Sequence, residues 1–414
     1  MTDKPHYTIL GAGIVGASCA LALRKAGFGV TLIDRDTPGA GASIGNAGLI
    51  QTGTPLPVAV PGLARQLPKL LTNPKSPLSI KWRYLPRLAP FLWKLFRASK
   101  AREVERISKA MQAILDLSGP AYRAIAKEAG AQELLGSRGV LMVFPDEESF
   151  KAASFEFDLY ERRGVAFDEV GEDQIRQMEP SIARNYRWGY HLYECFFTVS
   201  PQKLTEAIAD RAVALGAEFV TDEVQDIEMG PDSVAALVCA SGRRPVDRMV
   251  LAAGVFSKPF AKQLGVTVPM EAARGYHLNL PDPGIRLNGP VVDGKQHFGV
   301  TPMSEGIRLA GTIEFAKLEA EPNMARADML LPLTKNMLPE LGGSIGRQWM
   351  GNRPLTPDSL PVLGTAPKAG NVILAYGHGQ LGLTMGPATG DIVVALAEGR
   401  SPGIDMTPYR PDRF

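Results

Sequence analysis

The stretch 8–34, TILGAGIVGASCALALRKAGFGVTLID, limits what this chain can become more than any other. The apolar run 8–10 ends in glycine, and Gly11, Gly13 and Gly16 stand at GxGxxG spacing. Ala17, Ala20, Leu21 and Leu23 repeat at helical period, 28–33 is a second apolar run, and Asp34 closes it. Strand, tight turn, helix, strand and acid form the order of a dinucleotide-binding βαβ unit. Gly11 permits the turn, Gly13 lets backbone approach a pyrophosphate, and Gly16 lets the helix pack closely on the sheet. The helix N-terminus offers free N–H groups and partial positive charge to phosphate. Asp34, 18 residues beyond Gly16, is spaced to accept ribose hydroxyls.

A chain of 414 residues is long for one core, so two domains are expected. The formal net charge of +2 gives no reason to expect nucleic acid. Cys19, Cys195 and Cys239 form neither a CxxC pair nor a disulfide framework, which fits a reducing cytosol. No secretory signal is read before the first strand, no apolar run reaches membrane-spanning length, and no metal is expected.

After Asp34, Gly39, Gly41, Gly45 and Gly48 crowd together with Ser43 and Asn46. Such a loop either is a mobile surface turn or passes close to something flat or charged; its position beside Asp34 favours the second. GAGIVGASCALAL, the acid at Asp34 and the loop GAGASIGNAG at 39–48 resemble the D-amino-acid oxidase-type flavoproteins. Within them the chain is most similar to the bacterial FAD-dependent D-amino-acid dehydrogenases, D-hydroxyproline dehydrogenase-like members included. The resemblance implies non-covalent FAD, held by Gly11, Ala12, Gly13, Ile14, Val15, Gly16, Asp34 and Arg35. It adds Ala42, Ser43, Asn46, Ala47, Gly48 and Leu49 from the following loop. A cysteine tether like that of related sarcosine oxidases is not expected, because no cysteine follows Cys239.

Two later segments carry further cofactor signals. Ser200 and Pro201 open a helix that ends at Gly216, and a strand follows. By resemblance, Val224 contacts adenine through its backbone. The strand 248–253 ends in small residues, and Ala253 and Gly254 let backbone approach the diphosphate. Contacts so far from the first glycines favour an elongated FAD over NAD. At the C-terminal end, AYGHGQLGLT runs from strand to glycine loop to helix. A helix N-terminus there suits the flavin edge where negative charge develops on reduction. The resemblance assigns Gly379, Gln380, Leu381, Gly382, Leu383 and Thr384 to FAD. It names His378 beside them, catalytic or simply a satisfied loop histidine.

Residues 75–109 hold ten basic residues and two acidic ones, interleaved with Trp82, Tyr84, Phe91, Trp93 and Phe96. This pattern fits either an internal amphipathic helix or peripheral contact with a membrane interface. Arg274, Tyr276 and His277 sit on an otherwise apolar strand and face either the surface or a pocket. Residues 324–341 read as one helix. Arg353 resembles the family's carboxylate-pairing arginine and a further FAD contact; its planar fork suits both oxygens of a carboxylate. A loop ion pair is the alternative.

The expected architecture is α/β: a discontinuous Rossmann-like FAD-binding domain (1–80, 199–268, 347–414) with an inserted α+β substrate domain (81–198, 269–346) on a largely antiparallel sheet. The implied reaction is oxidation of D-amino acids or cyclic imino acids such as D-proline or D-hydroxyproline. Hydride would leave the α-carbon for flavin N5, and electrons would pass to a quinone or other carrier. Arg353, Tyr276 and His378 are the catalytic candidates; Arg353, Tyr276, His277 and Arg274 are the substrate-binding ones. An oxygen-using glycine- or sarcosine-oxidase-type enzyme, or a flavin-binding subunit inactive alone, are the alternatives. The expected location is cytoplasmic, with peripheral contact at the inner membrane.

Overall fold

Two sheets share the cleft between them. A computed structural model of the chain describes residues 4–62 and 78–414. The first sheet runs in the order Glu218–Thr221, Gly29–Asp34, His6–Leu10, Arg248–Leu251, Ala369–Tyr376, Val362–Ala366. Its strands are parallel except for the last pair. The helix Ile14–Lys25 crosses from the first strand to the second, as its apolar repeat requires. It packs between Pro201–Ala214 and Gly382–Ala397. Gly390 would place a Cβ 2.8 Å from the Ser18 carbonyl oxygen, so glycine is what lets these helices touch.

The second sheet follows the order Gln348–Leu355, Glu271–Leu280, Gly306–Phe315, Phe298–Met303, Val291–Asp293, Val140–Phe144, Trp188–Leu192, Asp168–Gly171. Leu78–Ile80 adds to Gly306–Phe315 in parallel. Most other neighbours are antiparallel. The chain is thus an α/β protein whose nucleotide layer is assembled from separated segments.

The sheets divide the chain differently from the sequence expectation at three places. Residues 78–80 and the strand Gln348–Leu355 belong to the second sheet, so the final return to the first sheet begins after Leu355. The helices Leu85–Ala98 and Ala101–Glu128 bury Leu88, Phe91, Ile107, Met111 and Ile114 in one core with Ile9, Leu21 and Leu32 of the nucleotide layer. Amphipathicity fixes that a face is buried, not what buries it. The helix expected over 324–341 is two, Ala325–Asp328 and Leu330–Met337. Pro332 lacks the N–H that would bond across the break.

Candidate active site

Between the sheets lies a cavity of about 1080 Å³. At one end are Asp34, Arg35 and Phe256, with the Arg35 guanidinium 4.1 Å from the Phe256 ring centroid. Arg353 and His378 line it further in. Gly11 has φ +106°, and a Cβ there would stand 2.6 Å from the Ala252 carbonyl oxygen. Gly16 is tighter still, 1.8 Å from the Gly11 carbonyl. These two contacts bring helix, turn and the Arg248–Leu251 strand end together along one side of the cleft. Asp34 accepts the Ala12 N–H at 2.6 Å, which ties the acid to the glycine turn. Ser43 accepts the Ile14 N–H at 3.0 Å, so the loop folds over the helix N-terminus.

Most of the expected cofactor residues line this cavity: Gly11, Gly13, Ile14, Val15, Asp34, Arg35, Ala42, Ser43, Asn46, Ala47, Leu49, Val224, Ala253, Gly254, Arg353 and residues 379–383. Ala12, Gly16, Gly48 and Thr384 stand behind the wall. Gly48 binds the Asn46 side chain through its N–H, and the Thr384 hydroxyl accepts the Gln51 N–H.

The loop 39–48 is held from the second sheet. Arg308 donates from Nη1 to the carbonyls of Ile44 (2.9 Å) and Asn46 (2.7 Å), and from Nε to Asn279 Oδ1 (3.0 Å). His277 Nδ1 lies 3.0 Å from the Gly45 carbonyl, so Nδ1 carries the proton. Its ring stacks on Trp349 at 5.1 Å. A Cβ at Gly45 or Gly351 would lie within 2 Å of the Trp349 ring, so the indole fits only because both are glycine. Burial, with Arg308 close by, lowers the His277 pKa to about 3 and keeps the ring neutral.

Four sequence candidates on the second sheet separate. In Glu271–Leu280 the pleat sends alternate residues to opposite faces. Gly275 and His277 face the nucleotide layer; Arg274 and the Tyr276 hydroxyl face away. Arg274 is fully buried, bonded to the carbonyls of Lys317 (2.5 Å), Leu318 (3.2 Å), Ala320 and Glu321 (3.3 Å), and 3.5 Å from Glu314. Tyr276 donates to Glu314 at 2.6 Å and accepts the Asn323 N–H at 3.1 Å. The substrate-binding role expected of Arg274 is therefore corrected, since it anchors the 317–323 loop away from the cavity; Tyr276 does line the cavity, while its hydroxyl is engaged with Glu314 and the Asn323 N–H. His277 also gives up its expected substrate contact, because it serves the 44–46 loop.

Arg353 does lie on the cavity wall. Its guanidinium rests over Gly275, where a Cβ would be 2.3 Å from Cζ. Nη1 meets the Thr312 carbonyl at 3.4 Å. Thr312 has φ +60°, a rare conformation for a β-branched residue. Among the described residues no carboxylate pairs with Arg353, and desolvation draws its pKa down to about 10. A half-buried, desolvated cation without a counter-ion is costly, and an anion in the cavity offsets that cost.

His378 is buried on the same wall. Its Nε2 is 2.9 Å from Thr389 Oγ1, whose proton already goes to the Met385 carbonyl at 2.8 Å. Nε2 therefore donates, and Nδ1 is left as an acceptor. Burial lowers the pKa to about 3.

Comparison with known proteins places this geometry. The model of the DAO family, FAD-dependent oxidoreductases, matches residues 6–396. A D-amino-acid oxidase of Bradyrhizobium diazoefficiens is 34% identical, with 100% of each chain covered. A D-amino acid dehydrogenase of Chromohalobacter salexigens is 30% identical over 98% of this chain and 99% of its own. The chain belongs to the DAO family. Its fold is also similar to that of glycine oxidase from Geobacillus kaustophilus, with a TM-score of 0.77, 21% identity and both chains fully covered.

FAD is the cofactor of this DAO-family enzyme. The cleft fits it: the glycine turn and Asp34 line one end and would hold the nucleotide, and the 42–49 loop, Gly254 and residues 379–383 line the rest. A Cβ at Gly254 would meet no protein atom within 4 Å, so that residue borders open space. All three cysteines are buried and none is on the cavity wall. Sequence reasoning missed Gln51, Trp349, Glu156 and His297, which also line the cavity. Gly45 and Gly351 were the only trace of Trp349.

Proposed function

We propose that this enzyme oxidises D-α-amino acids or cyclic imino acids, such as D-proline or D-hydroxyproline, and passes the electrons to a quinone or similar carrier. The observation that supports this most is Arg353, a desolvated guanidinium on the cavity wall with no carboxylate beside it among the described residues. Its fork takes the substrate carboxylate in two parallel hydrogen bonds and so decides which face the α-hydrogen presents. Bound FAD supplies the acceptor for the hydride that leaves the α-carbon. His277 and His378 are held neutral, so neither opposes cationic character developing on the substrate nitrogen. The amine enters deprotonated, its lone pair forms the imine, and water hydrolyses it or the product cyclises. No protein base is required.

Arg353→Ala and Arg353→Lys test the reading. Each should raise KM about a hundredfold or more, from loss of a bidentate charged pair, while the yellow holoenzyme survives. Near-normal kinetics in Arg353→Ala would remove the residue from the site.

The 34% identity to a protein named D-amino-acid oxidase favours a second reading, with oxygen as acceptor. An oxygen electrode run beside a dye-reduction assay separates the two.

We also propose peripheral contact with an anionic membrane through Leu85–Ala98, with the enzyme on the cytoplasmic side. Leu88, Phe91, Leu95 and Ala98 face the core. On the other side Trp93 is 63% exposed and stacks on Phe96 at 6.4 Å, with Arg83, Arg87, Arg97 and Lys100 exposed nearby. Aromatic residues flanked by cations suit a headgroup layer. Among the described residues no helix is long and apolar enough to cross a membrane. Residues 75–77 of the basic stretch lie outside the described residues.

A further inference from the structure

The cavity continues past Arg353 over the second sheet. Its wall there includes Met142, Val292, Phe298, Tyr160, His297 and Glu156. The helix Ser154–Arg162 carries Glu156 and Tyr160, and Tyr160 and Phe157 pack with Met142 and Val292. Tyr160 donates to Glu156 Oε1 at 2.6 Å. The second oxygen, Oε2, has no hydrogen-bond partner, and no lysine or arginine pairs with Glu156, among the described residues. Glu156 is thus half-buried, its carboxyl oriented by one hydroxyl and unpaired with any lysine or arginine among the described residues. Burial pushes its pKa up, against the pull of Tyr160 and His297.

Arg353 and Glu156 stand at opposite ends of this part of the floor. The Arg353 guanidinium reaches the strand Gly306–Phe315 at Thr312. Glu156 lies over Val291–Asp293 and Val140–Phe144, two and three strands further along. Strand spacing makes that about 10–14 Å. A carboxylate at Arg353 leaves the span of a long, extended side chain before Glu156 is reached. Met142, Val292 and Phe298 offer that side chain apolar walls.

Resting on the function proposed above, we infer that Glu156, positioned by Tyr160, is the specificity residue for the substrate side chain, and that the preferred substrates are D-amino acids with a long cationic side chain. The carboxylate accepts charge-assisted hydrogen bonds from a terminal ammonium or guanidinium, and the substrate's apolar stem lies along Met142, Val292 and Phe298.

D-Lysine and D-norleucine test this, because they differ by the terminal ammonium. Dye-reduction kinetics on the flavin-loaded enzyme should give kcat/KM at least about tenfold higher for D-lysine, and Glu156→Gln should cut that ratio by about tenfold. Tyr160→Phe should cut it less, by leaving the carboxylate in place but free to turn. A wild-type ratio of one or below, or a ratio unmoved in Glu156→Gln with its flavin spectrum intact, overturns the inference. If D-norleucine reduces the flavin and D-lysine does not, the D-amino-acid reading stands and the Glu156 assignment falls. If neither does, nor D-proline, both fall.

Discussion

Arg308 donates to the carbonyl oxygen of Asn46 at 2.7 Å, a bond from the second sheet to the loop that covers the first. The same guanidinium nitrogen takes the Ile44 carbonyl. The loop's backbone is therefore set by the substrate layer, and cofactor and substrate sites are built against each other. Arg308→Met leaves both carbonyls without these donors, at about 1.5–3 kcal/mol for each charged hydrogen bond lost. FAD should dissociate at least about tenfold more readily, read by recovery of free flavin fluorescence. Arg308→Lys should recover little of this, because an ammonium lacks the fork.

Gly45 has a different duty. A Cβ there would stand 1.9 Å from the Trp349 ring. Gly45→Ala should cost about 2–3 kcal/mol through overpacking and push the indole toward the cleft. Gly41→Ala, where a Cβ meets nothing within 4 Å, should change stability by less than about 0.5 kcal/mol. Thermal melts of the two holoenzymes check the contrast.

The buried histidines give a pH dependence with a definite sign. His277 and His378 titrate near pH 3 in the folded chain, both through desolvation first, against an ordinary value of about 6.5. Between those values the unfolded chain binds more protons. Their contribution to stability is therefore whole above about pH 6.5 and declines as pH falls toward about 3, by up to about 1.4 kcal/mol per pH unit for each group. His378→Gln should flatten that slope. Denaturant midpoints from pH 7 to pH 4.5 should show wild type losing more than the variant; parallel losses would mean that His378 is not held neutral.

The exposed aromatic pair makes the membrane contact testable. Wild-type protein should sediment with anionic vesicles at low salt and release as salt rises. Trp93→Ser with Phe96→Ser should weaken partitioning about tenfold. No sedimentation at low salt would end that reading.

The nucleotide layer was legible because its signals are local: a glycine turn, a 3.6 period and a terminal acid within 8–34. The strand Glu271–Leu280 was not, because it is buried along its whole length. Sequence alternation therefore gives no cue that Arg274 and His277 face opposite ways. Arg353 was reached through family resemblance; its want of a counter-ion is visible only in three dimensions. Glu156 had no local signature, since its wall is assembled from its own helix, from Met142 on the strand Val140–Phe144, and from Val292, His297 and Phe298, more than a hundred residues further along the chain.

The central claim is that Arg353 presents the α-carbon of a D-amino or imino acid to the flavin. Anaerobic titration of the yellow holoenzyme with matched D- and L-enantiomers tests it in one experiment. The D-enantiomer should bleach wild-type flavin, the L-enantiomer should not, and Arg353→Ala should need about a hundredfold more substrate. Equal bleaching of wild type and Arg353→Ala, or bleaching by the L-series alone, would contradict it.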